Sequence, residues 1–189
     1  TGWFREPGAF DQLHQFIQSR ITCEVRSTVK ILSVACSTGE EVYSIGALLE
    51  SFVAQYPWFD YSIEAWDIDP ISLRTARDGN YDAKTLENLP TKSQQLLLAS
   101  GRIHDGRFLV NSRLKDRCRC KTVNIINPNA DQSIYNYIIC RNMLIYFETD
   151  DVKKILDFLT SKLEQNGYLC VGVSETSAID SKSMISLGQ

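Results

Sequence analysis

The spacing of apolar residues changes repeatedly along this chain, and each change marks an element. Leu13, Phe16 and Ile17 recur three and four apart, the stripe of an amphipathic helix over residues 10–20. Residues 29–35 are a short apolar run suited to a buried strand. Cys36, Ser37, Thr38 and Gly39 interrupt that run. Helical spacing then returns with Val42, Ile45, Leu48, Leu49 and Phe52 and stops before Pro57. A second strand over 61–66 ends at Asp67-Ile68-Asp69-Pro70. Asp69 fits an N-cap there and Pro70 the first helical position. Leu73 and Ala76 would face inward, and Gly79 would close the helix.

Strand, helix, strand and helix in this order predict an open α/β sheet with right-handed crossovers. The alternation breaks between Tyr81 and Lys121. A helix-like piece around 92–99 is followed by short strand candidates at 107–112 and 117–120, which together suggest a small antiparallel insertion. A sheet strand is expected again over 123–126, ending at Asn127-Pro128, and a central one over 135–140, followed by Arg141-Asn142 and the apolar 143–147. Residues 150–163 read as a helix, Asn166-Gly167 as a turn, and 168–173 as a strand ending at Ser174-Glu175. The expectation is an α/β, doubly wound, mostly parallel sheet. It forms one domain over 1–189, with a small antiparallel β insertion at about 82–121.

Composition narrows the function. With 43% apolar and 23% charged residues, the chain should form a soluble, packed domain. A net charge of −3 argues against general nucleic-acid binding. The basic run 113–121 is local, and reads either as a solvated strand face or as a contact surface for an acidic partner. Six scattered cysteines, several in apolar runs, read as reduced core residues of a cytoplasmic protein. Cys118-x-Cys120 lacks a second pair or a nearby histidine, and the two histidines have no ligand spacing, so no metal is expected. No 18-residue apolar run occurs and no leader opens the chain, so no membrane insertion is expected. Starting at Thr1 without Met, the chain reads as a piece of something longer.

The chemistry concentrates in the stretch from Ile31 to Leu49, a strand, a tight turn and a helix whose N-terminus can meet a ligand. Ser37 with Glu40, and Thr38 with Glu41, are spaced as capping boxes. Gly39 would let backbone approach a ligand. Two glutamates in the first turn disfavour phosphate and favour positive charge, or the hydroxyls and amino group of a nucleoside-like compound. Polar residues also end other strands, at Asp67, Asn127 and Arg141-Asn142. In a doubly wound sheet such ends line one crevice. An acid ending the second strand suits ribose hydroxyls, in reductases and S-adenosylmethionine-dependent methyltransferases alike. GxGxxG is absent, and a single-glycine turn bounded by glutamates better suits a cationic sulfonium.

Four blocks carry a more specific signal. Thr1-x-Trp3-Phe4-Arg5-Glu6, Cys36-Ser37-Thr38-Gly39-Glu40-Glu41-x-Tyr43-Ser44-Ile45, Asp67-Ile68-Asp69 and Cys140-Arg141-Asn142-x-Leu144-Ile145-Tyr146-Phe147 together resemble the CheR family. Gly172-x-Ser174-Glu175 also resembles that family's motif near its end. These are chemotaxis receptor methyltransferases, which esterify glutamate side chains using S-adenosylmethionine. The resemblance implies a Rossmann-like methyltransferase fold and a partner that is a methyl-accepting chemoreceptor's cytoplasmic region or a related signalling protein. It further implies that Thr1, Glu40, Asp67, Asn127, Arg141 and Asn142 contact the cofactor, and that Arg5 and Tyr146 lie at the transferring methyl group. The choices between Glu40 and Glu41 and between Asp67 and Asp69 stay open, with strand geometry favouring Asp67. Without the resemblance, Tyr146 reads as a packing tyrosine, Arg5 as a surface arginine and Glu40 as a cap.

Departures from the family pattern are visible too. Its N-terminal helical domain is expected to be absent here, and Pro128 stands where the family has leucine. Residues 184–189 look like the strand before the family's last, so a final edge strand is expected to be missing. Binding of a receptor's peptide tether by the inserted region stays open.

Overall fold

Side-chain alternation along the first strand sets the layers of this fold. In the computed structural model, which describes residues 2–21, 27–128 and 132–178, β1 (Ser27–Val34) lies in the middle of a five-stranded sheet. Ile31 points to one face and Leu32 to the other, and both are fully buried. On the Ile31 face, α1 (Pro7–Arg20) and α2 (Glu40–Gln55) supply Leu13, Ile17, Ile45 and Leu49. On the Leu32 face, α6 (Thr149–Ser161) supplies Val152, Ile155 and Leu159. Both faces of a central strand are thereby covered, which is why 29–35 reads as continuous rather than alternating apolar sequence.

The neighbours of β1 are β2 (Phe59–Asp67) and β7 (Tyr135–Cys140). Beyond them lie β6 (Cys118–Thr122) and β8 (Leu163–Val171), giving the order β6-β2-β1-β7-β8 with every pairing parallel. The order reverses direction at β1, so its carboxyl end and that of β7 flank a switch-point crevice. Helix α3 (Pro70–Asp78) follows β2, capped by Asp69, whose carboxylate accepts from the Ile71 and Ser72 amides at 3.0 Å each. Those bonds and the Ser72 hydroxyl hold the Asp69 carboxyl below its ordinary pKa, the hydroxyl contributing most. Gly79 ends α3 at φ 59°.

Strands β3 (Asn80–Asp82), β4 (Gly101–His104) and β5 (Arg107–Val110) form the antiparallel insertion, in the order β3-β5-β4. Helix α4 (Thr91–Ala99) precedes β4, and Asp105 and Gly106, at φ 48° and 71°, turn β4 into β5. The expected α/β sheet with a small antiparallel insertion is therefore what the chain adopts, but with a shifted boundary. After the short α5 (Ser112–Asp116), residues expected to end the insertion form β6, an edge strand of the main sheet beside β2. Cys118 and Cys120 pack inward while Lys121, on the other face, pairs with Glu64 at 2.7 Å. One-sided burial of so short a strand mimics a hairpin strand in sequence.

The expected strand over 123–126 does not form. The Val123 amide adds one more bond to β2, at Asp67 O, and the chain then turns, Asn127 N donating to Asn124 O at 3.1 Å. Val123 and Ile125 are apolar because they pack against the α6 side of the core. Likewise Asn166-Gly167 is not a turn but an irregularity inside β8, with Asn166 at φ 64° and a register shift opposite Tyr135 and Tyr137. The basic run 113–121 finds acids within the chain: Arg113 and Arg117 meet Glu50, and Arg117 also pairs with Asp60. Residues 184–189 lie outside the described residues.

Leu159→Ala, in the fully buried α6 stripe, should lower unfolding free energy by about 2–5 kcal/mol. Leu98→Ala, at a 46% exposed site on α4, should change it by less than about 0.5 kcal/mol. Urea unfolding followed by circular dichroism measures both.

Candidate functional site

The turn leaving β1 is built by backbone that most side chains avoid. Ala35, Ser37 and Gly39 have φ of 55°, 50° and 93°. Two anchors keep the segment folded this tightly. The Ser37 amide donates to Asp67 Oδ2 at 2.7 Å, while Asp67 Oδ1 accepts from the Asp69 amide at 2.9 Å. On the other side, Tyr81 of β3 donates its hydroxyl to Thr38 O at 2.7 Å. A Cβ on Gly39 would come within 2.8 Å of Ala76 Cβ and 2.9 Å of Tyr81 Oη, so glycine is needed for space as well as for φ.

The expected capping boxes do not form. Helix α2 begins at Glu40, so its N-cap is Gly39, which has no side chain to offer. Thr38 Oγ1 instead bonds Glu40 Oε2 at 2.6 Å. The structure also separates the two glutamates. Glu41 accepts from Ser33 Oγ at 3.0 Å and from Arg141 Nε and Nη2 at 3.1 and 2.9 Å, so it is engaged beneath the turn. Glu40 has only the local hydroxyl contact of these and remains the candidate ligand.

Arg141, expected at the cofactor, has its side chain only 3% exposed and directed into the protein. Besides Glu41 it donates to Arg5 O at 2.8 Å, lies over the Phe10 ring, and reaches Glu6 with Nη1 at 3.7 Å. A buried guanidinium needs such partners, because desolvating an unpaired charge costs several kcal/mol. Its side chain thus joins the β7 end, the first turn of α2 and the segment 2–6. That segment is held elsewhere as well. Trp3 packs edge-on against Tyr81 and Phe108 and donates Nε1 to Thr85 Oγ1, while the Phe4 amide bonds Ser44 Oγ at 3.0 Å.

After β7 the chain runs through Asn142, at φ 56°, into a single 3-10 turn, Leu144–Tyr146. Asn142 Nδ2 contacts Glu6 Oε1 at 3.3 Å, which sets this loop beside the Arg5 segment. The Arg5 side chain is exposed, and Tyr146 is 79% exposed. Both side chains are thus solvent-exposed, as the plain reading of Arg5 as a surface arginine expects and against that of Tyr146 as a packing tyrosine. Asn127 lies in the exposed turn that starts next to Asp67. Thr1 lies outside the described residues.

Two residues gain weight that the sequence did not give them. Ile68, 63% exposed directly after Asp67, offers an apolar ledge beside the acid. Glu175 is buried and accepts backbone amides from the loop after β7. Its only sequence signal is its place in Gly172-x-Ser174-Glu175. Cys36 and Cys140 flank the crevice floor. Burial pushes both thiols well above their ordinary pKa, with Asp67 acting on Cys36 and Glu175 on Cys140 in the same direction. Neither has thiolate character for nucleophilic work. Among the described residues no three His, Cys, Asp or Glu side chains group as a metal site. A cleft of about 760 Å³ opens elsewhere, toward the amino ends of the strands, with the paired Asp60 and Arg117 in its lining.

These groups fit a nucleoside-bearing cation. Each Asp67 oxygen accepts one amide and keeps room for a hydroxyl donor. Glu40 adds a second acid at the turn, and Ile68 an apolar surface for a flat base.

Comparison with known proteins agrees. The family described as CheR methyltransferase, SAM binding domain, matches residues 1–187. A probable chemotaxis protein methyltransferase of Rhizobium etli is 31% identical over 178 residues, covering 93% of this chain and 66% of that protein. Chemotaxis protein methyltransferases of Borreliella burgdorferi and Pseudomonas aeruginosa are 31% and 29% identical, each over 93% of this chain and over 64% and 65% of their own lengths. The chain thus spans just under two thirds of these relatives. A solved glycopeptide N-methyltransferase, MtfA, with S-adenosyl-L-methionine has a TM-score of 0.49 at 12% identity, covering 85% of this chain and 48% of its own. That likeness is too loose to add weight.

Arg141→Met should destabilise the chain by about 3–5 kcal/mol, because it strands the Glu41 carboxylate. Adding Glu41→Met should recover part of that loss, since the uncompensated charge is then gone. Thermal unfolding of the single and double variants measures the difference.

Proposed function

This chain belongs to the CheR methyltransferase family, and from that premise we propose that it methylates glutamate side chains on the cytoplasmic region of a chemoreceptor. The observation that carries this reading is Arg141, whose side chain holds both the Glu41 end of the cofactor turn and the Arg5 backbone. This supports the reading because one buried group ties the cofactor turn to the backbone that carries the cationic Arg5 side chain.

S-adenosylmethionine, when bound, supplies a methyl group on a positively charged sulfur. Asp67 would accept from the ribose hydroxyls, Ile68 would lie against the base, and Glu40 would take the amino end or neighbouring polar atoms. The backbone of Asn142 and the turn at Asn127 would close the crevice, and the family resemblance would add Thr1 to the same set. Arg5 would orient the acceptor glutamate, and the Tyr146 hydroxyl would hydrogen-bond it or steady the region of the sulfonium.

This division explains why the crevice has no histidine. A glutamate carboxylate, with an ordinary pKa of about 4.3, is already ionised at neutral pH and is itself the nucleophile. Deprotonation is not the obstacle. Alignment of oxygen, carbon and sulfur is, together with exclusion of water, and these are tasks for positioned side chains rather than for a base. The buried, protonated cysteines are consistent with direct transfer to the acceptor.

Calorimetric titration with S-adenosylhomocysteine should show binding that Asp67→Ala weakens by about 10–100-fold, the worth of hydrogen bonds to a charged group. Methyl transfer to receptor cytoplasmic fragments should yield label released by mild base, as esters are. Arg5→Ala should lower kcat while retaining S-adenosylhomocysteine binding. Base-stable label would overturn the glutamate ester, and unchanged affinity in Asp67→Ala would overturn the crevice.

A further inference from the structure

We propose that Glu175 is a positioning residue for methyl transfer, acting as a buried anion that shapes the loop carrying Tyr146. Its side chain has no direct part in the chemistry described above, yet it is among the most completely used groups in the protein. Glu175 is 2% exposed. Its Oε1 accepts from the amides of Met143 and Leu144 at 2.8 and 2.7 Å, and its Oε2 from those of Asn142 and Gly172 at 3.0 and 2.8 Å. All four bonds go to backbone.

Three consecutive amides aimed at one carboxylate define the path of the chain. Asn142 sits at φ 56°, in the left-handed region, which asparagine adopts more readily than most residues but which persists where the surroundings hold it. Its amide is held by Glu175 and its side chain by Glu6. Two residues on, the Leu144 amide that Glu175 receives is the first of the 3-10 turn, and the same turn ends in Tyr146. Negative charge at the start of such a turn satisfies amides that have no partner within it. The Tyr146 side chain is 79% exposed, so packing does not hold it. Its direction is inherited from the turn, and the turn from Glu175.

The fourth bond says where the anchor itself is fixed. Gly172 N ties Glu175 to the end of β8, and a Cβ on Gly172 would lie 2.6 Å from Glu175 Oε2. Glycine there keeps the carboxylate free to turn toward the loop. Through the Glu175 carboxylate the last described sheet strand is joined to the loop after β7.

The role assigned to Tyr146 rests on the functional reading above; the shaping of its loop does not. Two variants of the full-length protein test both: Glu175→Gln, which presents an amide to donors, and Gly172→Ala, which crowds Oε2 but keeps the carboxylate. Amide hydrogen exchange should speed up at residues 142–144 in each. Per folded molecule, kcat should fall about 100-fold, the scale of a misplaced reacting group, with KM for the receptor fragment little changed. Unchanged exchange at 142–144 overturns the shaping of the loop. Faster exchange with unchanged kcat overturns the positioning role, as does a loss of activity that only tracks the unfolded fraction. If wild-type protein transfers no methyl at all, the functional reading fails, and exchange alone then decides whether Glu175 shapes the loop. Should Glu175→Gln not fold, Gly172→Ala decides through Met143 and Leu144, since a Cβ at 172 would also stand 3.3 Å from the Asn142 amide nitrogen and disturb that residue directly.

Discussion

Three segments far apart in sequence meet at Arg141, and the geometry of the crevice depends on that meeting. The guanidinium binds Glu41 at the start of α2 and the carbonyl of Arg5, and lies over Phe10 of α1. In water such contacts would be weak. Here the arginine side chain is 3% exposed, so each partner it lost would leave a desolvated charge or donor behind. The pair is therefore poor evidence of net stability but a strong constraint on arrangement. The segment 2–6, the start of α2 and the end of β7 cannot shift independently without uncovering it.

Around this pair, carboxylates hold backbone in shapes it would not take alone. Five of the seven described non-glycine residues with positive φ border the crevice: Phe4, Glu6, Ala35, Ser37 and Asn142. Asp67 fixes the amide of Ser37, and Glu175 that of Asn142. Both acids follow one logic, an anion satisfying amides that the tight turn deprives of partners. Asp67 differs in keeping unused acceptor positions toward the crevice, whereas all four of Glu175's bonds point to backbone within the protein. That contrast separates a group able to meet a ligand from one that shapes the wall.

Much of this was legible in the sequence because the signals were local. Pro70 after Asp69 specified a capped helix, and the continuous apolar run 29–35 specified a strand buried on both faces. The failures came where a long-range contact decides. Val123 and Ile125 look like strand residues, yet they are apolar because they pack under α6, not because they pair. Cys118 to Lys121 look like part of a hairpin until β2 supplies a parallel partner. At the site, Glu40 and Glu41 are equivalent in sequence. The Ser33 hydroxyl and an arginine a hundred residues later engage Glu41 and not Glu40, and no local pattern encodes that distance. Ser37 and Thr38 matched the capping-box spacing but lost the N-cap position to Gly39, one residue further on.

The separation of the two glutamates also bears on how an acid-lined crevice admits an acidic acceptor. On the proposed reading the site must hold a cation and then receive a carboxylate next to it. At about 4 Å and an effective dielectric near 20, two like charges repel by about 4 kcal/mol. Three free carboxylates at the turn would therefore oppose the substrate strongly. Arg141 removes Glu41 from that sum by ion pairing, leaving Asp67 and Glu40 to face the cofactor's positive charge. The same arginine holds the Arg5 carbonyl, and so the backbone from which, on that reading, a compensating cation would extend. One buried side chain thus lowers the negative charge where the acceptor arrives and sets the origin of the positive charge that would orient it. This is why replacing Arg141 should disturb stability and substrate approach together, whereas replacing Arg5 should disturb only the second.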